Sequence, residues 1–158
     1  MIALFDNEEV GSTSTMGAGG PVMLDSIKRI SEVLSATVAG PAVAALPHEA
    51  HVRALQKSFM VSADMAHALH PNYPEVHDPA LQPTLGGGMV IKTNLEQRYA
   101  TSAVSGFFFR ACGAKVDPPL PFQEYAVPAD CPCGSTIGPV LSAATGIRCV
   151  DVGPAQWS

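Results

Sequence analysis

Short apolar runs alternate along this chain with stretches of helical periodicity, separated by Gly, Pro or polar residues, and that alternation leaves few architectures open. Ile2 to Phe5, Phe59 to Ser62, Met89 to Thr93, Gln123 to Val127 and Ile147 to Val152 have the length and residue types of buried strands. Val22 to Leu34 carries Leu24, Ile27, Ile30, Val33 and Leu34 at helical spacing, and Gly40-Pro41 closes that unit. Pro47 sits in the first turn of a second helix that reaches Gln56. Ser102 to Gly113 and Ile137 to Ala144 read as two more. The order predicts an α/β domain, a mostly parallel sheet flanked by helices. His70 to Gly88, dense in Pro and Gly, is long for a structureless connection and is therefore a candidate functional loop.

The chemistry begins in Phe5-Asp6-Asn7-Glu8-Glu9-Val10-Gly11-Ser12, where an apolar run breaks into a Gly/Ser turn carrying two adjacent carboxylates. Consecutive strand residues point to opposite faces, so Glu8 and Glu9 converge on one centre only if the backbone turns there. Gly11 and Ser12 supply the turn. One carboxylate can then hold a metal while its neighbour takes a proton from water. Taken alone, the pair reads equally as a solvated acidic turn.

Composition excludes some classes of function. With a net charge of −5 and no Lys/Arg cluster, the chain lacks the means to neutralise nucleic-acid phosphates. Its apolar runs are shorter than the ~20 residues a bilayer span needs. Met1 to Phe5 leads straight into acidic residues instead of a basic and then apolar signal segment. These features predict an intracellular, cytoplasmic protein. The cysteines Cys112, Cys131, Cys133 and Cys149 fit as reduced thiols, and Cys131-Pro132-Cys133 is too closely spaced for a structural zinc pair. Charged residues are only 15% against a usual ~25%, while hydrophobic ones make 47%, a balance suited to an interface-rich protein.

Three further motifs follow in order: Ser62-Ala63-Asp64-Met65-Ala66-His67-Ala68-Leu69-His70-Pro71-Asn72, then Ile91-Lys92-Thr93-Asn94 with Gln97-Arg98-Tyr99-Ala100, then Pro132-Cys133-Gly134-Ser135-Thr136-Ile137-Gly138-Pro139. With the Glu-Glu block, they resemble the M18 family of metallo-aminopeptidases, the aspartyl aminopeptidases, over nearly the whole chain. On its own each motif has a plainer reading. Asp64 suits a helix N-cap, and His67 and His70, three apart, would share one face of a helical turn. Lys92 suits a snorkelling strand-end lysine, and the Gly134 to Gly138 turn lacks the Lys of a phosphate loop.

The resemblance implies part of a dinuclear zinc aminopeptidase catalytic domain. It implies Glu8 as general base, Glu9 and Asp64 as ligands to two different zinc ions, and His67, Lys92 and Tyr99 as substrate contacts. An ammonium and a phenol together complement the side-chain carboxylate of an N-terminal Asp or Glu. The implied substrates are peptides with acidic N-termini, and the implied assembly is a homo-oligomer. In the implied reaction a zinc-bridging water loses its proton to Glu8, attacks the first peptide carbonyl, and Glu8 passes the proton to the leaving amine.

The same resemblance implies a His and a bridging Asp upstream of Glu8 and a second His just beyond the last strand. It also implies a separate dimerisation domain. None of these has a counterpart within the 158 residues. Weak zinc binding, an unpaired apolar sheet edge and aggregation are therefore expected of this chain by itself. A catalytically inactive fragment or interaction subunit is the alternative, and a related zinc deacylase or carboxypeptidase is a third reading.

Overall fold

A computed structural model of the chain describes residues 1–38, 47–127 and 133–157. Gly40, Pro41, Cys131 and Pro132 lie outside the described residues. The helices are α1 (Val22–Val38), α2 (Pro47–Gln56), α3 (Ala103–Gly113) and α4 (Ile137–Thr145). The strands are β1 (Phe59–Ala63), β2 (Ala66–His67), β3 (Met89–Thr93), β4 (Phe122–Ala126) and β5 (Arg148–Gln156), with one 3-10 turn at Pro74–Val76. The chain divides into two compact units, residues 1–59 with 140–148, and residues 60–139 with 149–158.

In the first unit, α1 packs against α2, and the His51 ring lies 3.4 Å from Ser31 Oγ between them. Residues 1–20 form turns and no regular element. The strand predicted at Ile2 to Phe5 is absent: Ile2 is 91% exposed and Leu4 92%, and among the described residues no strand pairs with them. A short apolar run becomes a strand only beside a partner, and periodicity carries no information about partners.

The second unit is built on the sheet, in the order β1-β5-β3-β4, with β2 also pairing β5. Strands β3 and β4 are parallel, with Lys92 opposite Tyr125, and β2 runs parallel to β5. Strands β3 and β5 are antiparallel, with Met89 opposite Pro154, so the sheet is mixed and not simply a parallel array. The last strand of the chain enters the middle of the sheet, and element order alone does not reveal the direction of a strand inserted there. Residues Cys149 to Gly153 of β5 are all buried, as a central strand covered on both faces requires. Helix α3 begins where a cap allows it: Ser102 Oγ accepts from the Ser105 amide at 3.1 Å, and the Ser102 amide donates to Ser105 Oγ at 2.9 Å.

The chain crosses β5 closely at Gly153. A Cβ there would sit 1.7 Å from the Asp64 carbonyl oxygen, so only glycine lets the Asp64–Met65 backbone approach. Asp64 N donates to Val152 O at 2.9 Å and Ala68 N to Gln156 O at 2.8 Å, which ties residues 64–68 alongside the end of β5. Gly153→Ala is expected to destabilise by about 3 kcal/mol or more, through forced backbone displacement. Gly134→Ala, where no atom of the described residues lies within 4 Å of the added Cβ, is the control and should leave the melting temperature nearly unchanged. Thermal melts of the two variants side by side check this.

Candidate active site

Lys92 is the centre of the polar interior of the second unit. Strand β3 (Met-Val-Ile-Lys-Thr) is rich in β-branched residues, and its centre, Val90, Ile91 and Lys92, is buried. Only 2% of the Lys92 side chain is exposed, so the snorkelling reading is excluded. Its three N–H groups have three acceptors: Asp64 O at 3.2 Å, Met65 O at 3.2 Å and Asp64 Oδ2 at 3.3 Å. The Tyr99 ring covers the ammonium at 5.0 Å from the ring centre, a cation–π contact. An ammonium this far from water persists only because every donor is used and a carboxylate stands opposite it.

Asp64 follows directly on β1 and is half-buried, with Oδ2 turned to Lys92. It does not cap a helix, because Ala66–His67 forms β2. For the same reason His67 and His70 do not share a helical face. His67 is exposed, with its ring 6.1 Å from that of Tyr125, and the His70 ring lies against Tyr73 and Trp157 at 5.2 and 6.1 Å.

Tyr99 is 5% exposed and shares a core cluster with Ala66, Val90 and Tyr125. Burial first, then a hydrogen bond with Cys133, pushes its phenol well above the ordinary value. Its position is fixed by Asp151, which the sequence analysis did not single out. This carboxylate is fully buried in β5. It accepts from the Ala100 amide at 2.6 Å through Oδ2 and from Thr136 Oγ1 at 2.6 Å through Oδ1, while its own amide donates to Thr101 Oγ1 at 2.9 Å. Gly138 leaves room for it: a Cβ there would lie 2.3 Å from Asp151 Oδ1. The available signal was an acidic residue in the middle of Cys149-Val150-Asp151-Val152, where an apolar strand gives no other reason for charge. Beside it, burial and then the Asp151 charge push the Cys149 thiol up to about 12, which leaves it unreactive at neutral pH.

Glu8 and Glu9 belong to the first unit. Gly11 N donates to Glu8 O at 2.9 Å and Ser12 N to Asn7 O at 2.8 Å, closing the predicted turn. Asn7, Gly11 and Ser12 all have positive φ, at 60°, 99° and 61°. Ser14 Oγ donates to Asn7 Oδ1 at 2.6 Å and secures the loop. Glu8 is half-buried and Glu9 exposed.

Carboxylates such as Glu9 and Asp64 are donors that zinc accepts. Among the described residues, however, no three His, Cys, Asp or Glu side chains are grouped so that they could hold an ion. Cys112, Cys133 and Cys149 are free thiols. The described residues thus supply at most part of a zinc site. Among them, no helix is long and apolar enough to cross a membrane.

The family profile described as "Aminopeptidase I zinc metalloprotease (M18)" matches residues 1–158. The chain belongs to the M18 aminopeptidase family. It is 50% identical over 158 residues to a "Probable aspartyl aminopeptidase" of Ricinus communis, covering 100% of this chain and 30% of that protein. It is 44% identical over 160 residues to an "Aspartyl aminopeptidase" of Dictyostelium discoideum, covering 99% and 31%. A solved structure, the S. cerevisiae mApe1 dodecamer, superposes with a TM-score of 0.72 at 28% identity, covering 98% of this chain and 31% of that one. The M18 chain described here therefore spans about 30% of the length of these curated relatives.

The raised Tyr99 phenol has a measurable consequence. An unfolded chain sheds this proton near pH 10 while the folded chain keeps it, so stability falls as pH rises past 10. Urea midpoints are expected to drop more between pH 9.5 and 11 in the native sequence than in Tyr99→Phe, with pH values chosen to bracket the ordinary phenol pKa of about 10. Equal drops would mean that the Tyr99 phenol ionises freely in the folded state.

Proposed function

We propose that this chain forms part of the catalytic domain of a cytoplasmic zinc aminopeptidase that releases N-terminal Asp or Glu from peptides and works as a homo-oligomer. The observation that carries the acidic specificity is the buried Lys92 ammonium under the Tyr99 ring, beside Asp64. A cation and a phenol at one point form a receptor for a side-chain carboxylate. Family membership supports the peptidase chemistry, and the named aspartyl aminopeptidases among the relatives support the substrate. A dodecameric relative supports the oligomer.

Each residue then has a task. Glu8 takes the proton of the attacking water and returns it to the leaving amine. Glu9 and Asp64 each give a carboxylate to one of two zinc ions. His67, Lys92 and Tyr99 hold the substrate. Two of the Lys92 hydrogen bonds go to backbone carbonyls and persist, whereas the third, to Asp64 Oδ2, is the one a substrate carboxylate would replace. If Asp64 held a metal, its carboxylate would be shared between the ion and Lys92, which would free part of the Lys92 ammonium for an acidic substrate.

The test compares aspartyl and leucyl amides as substrates of the complete protein. Aspartyl hydrolysis is expected to dominate. Tyr99→Phe, which keeps the ring over Lys92, is expected to lower kcat/KM for the aspartyl substrate about tenfold while sparing the leucyl one, the cost of about one hydrogen bond to a charged group. A leucyl preference, or hydrolysis only of N-acyl substrates, would sink the acidic reading. For residues 1–158 alone, titration calorimetry is expected to give a zinc dissociation constant weaker than about 1 µM, below the ~10 kcal/mol of a complete structural site. Tighter binding would show that the chain carries a full ligand set.

A further inference from the structure

We propose that a histidine-rich cavity in the second unit binds the leaving side of a peptide, holding a peptide group against His77 and an aromatic or large apolar side chain against Tyr73 and Trp157. The inference rests on the peptidase reading for the origin of the ligand, and on the cavity itself for its chemistry.

The cavity measures about 590 Å³, within the usual ~300–1,000 Å³ of small-ligand pockets. Its walls come from β2, from the His70 to Gly88 loop, from β4 and from the end of β5. His77, in that loop, is 5% exposed, and among the described residues neither of its ring nitrogens has a hydrogen-bond partner. Its ring packs 5.8 Å from Tyr125. A neutral imidazole has one donor and one acceptor, and a buried polar group without partners is rare. A peptide group offers the matching carbonyl and N–H on one plane.

The other lining residues narrow the class. Among the described residues that line it, none is Lys, Arg, Asp or Glu, so these residues offer neither a phosphate nor a strongly cationic ligand a counter-charge. Three histidines suggest a metal, but they are not grouped closely enough to hold one. Aromatic rings with a few polar heads remain, the lining that suits a neutral, partly apolar ligand. The location suits the leaving side. Tyr125 stands opposite Lys92 in register and shares the core cluster with Tyr99, and His67 is three residues beyond Asp64. A peptide whose first side chain meets Lys92 would extend its next residue toward this cavity.

Trp157 is the only tryptophan in the chain and lines the cavity, so its emission reports occupancy without any catalysis. Titration of the zinc-stripped complete protein with glycyl-phenylalanine amide is expected to change tryptophan fluorescence saturably, a change that Trp157→Phe removes, and glycyl-glycine amide to bind at least fivefold more weakly. His77→Phe keeps an aromatic ring of similar size and removes both nitrogens, and is expected to weaken binding at least fivefold. Tyr73→Ala, at a position 58% exposed and safe for folding, should weaken it as well. No saturable change with either probe, or equal affinities in all three proteins, would overturn the proposal. Saturable binding by a complete protein that hydrolyses no aminoacyl amide would instead overturn the peptidase reading and leave the cavity's preference for peptide groups standing.

Discussion

An ammonium group held at 2% exposure has to be compensated from every side, and in this chain the compensation of Lys92 organises the second unit. Two of its acceptors are consecutive backbone carbonyls, Asp64 and Met65. Fixing both orients the link between β1 and β2, and so fixes where the Asp64 carboxylate points. Gly153 is the steric half of the same constraint, because only a residue without Cβ lets the Asp64 carbonyl and the Met65 Cα come this close to β5. A charge in the interior and a glycine in the central strand thus place one carboxylate at the sheet's end. That is where open α/β sheets hold their reactive groups.

Asp151 solves the opposite problem by different means. Among the described residues, this fully buried carboxylate is satisfied by the Ala100 amide and the Thr136 hydroxyl and not by a cation. Such donors stabilise a negative charge without adding a mobile counter-ion side chain. The result is positional: Ala100, Thr101 and Thr136, which directly precedes α4, are joined to β5. The same carboxylate contributes to the raised Tyr99 phenol and to the raised Cys149 thiol. In both cases burial is the larger cause, and the Asp151 charge adds to it.

What the sequence showed and what it hid follow from the range of each interaction. The segments β3 at Met89–Thr93 and α2 at Pro47–Gln56 were legible to the residue, because periodicity and the first-turn proline are local. Helix α3 was legible to within one residue, since Ser102 proved to be the cap and not the first helical position. The turn after Glu8 and Glu9 was legible because Gly11 and Ser12 leave little else possible. Strand pairing was not local, so Ile2 to Phe5 read as a strand although nothing described pairs with it, and the antiparallel β3/β5 contact left no mark. The site residues Asp64, Lys92 and Tyr99 were named only through the ordered motifs. Their mutual contacts span 28 residues of sequence in the Lys92–Asp64 pair, which no pattern of neighbours reveals.

Buried polar groups in the described residues divide into those that already have partners and those that do not. Lys92 and Asp151 are more deeply buried than any other Lys, Arg, Asp or Glu among the described residues, and both have partners. Among the described residues, the buried side-chain atoms without partners are Ser62 Oγ and the two nitrogens of His77. A hydroxyl on a strand has one rotor and can be left weakly engaged at modest cost. An imidazole with both nitrogens idle is a larger deficit, and a fold that satisfies an ammonium three times over has the means to satisfy a neutral ring. That His77 is not satisfied, and that it borders a cavity instead of filled core, is the physical ground for assigning the deficit to a ligand. The long Pro/Gly loop that carries it is then not slack chain between β2 and β3. It is the element that brings a hydrogen-bonding ring to the wall of a pocket that β4 and β5 leave open.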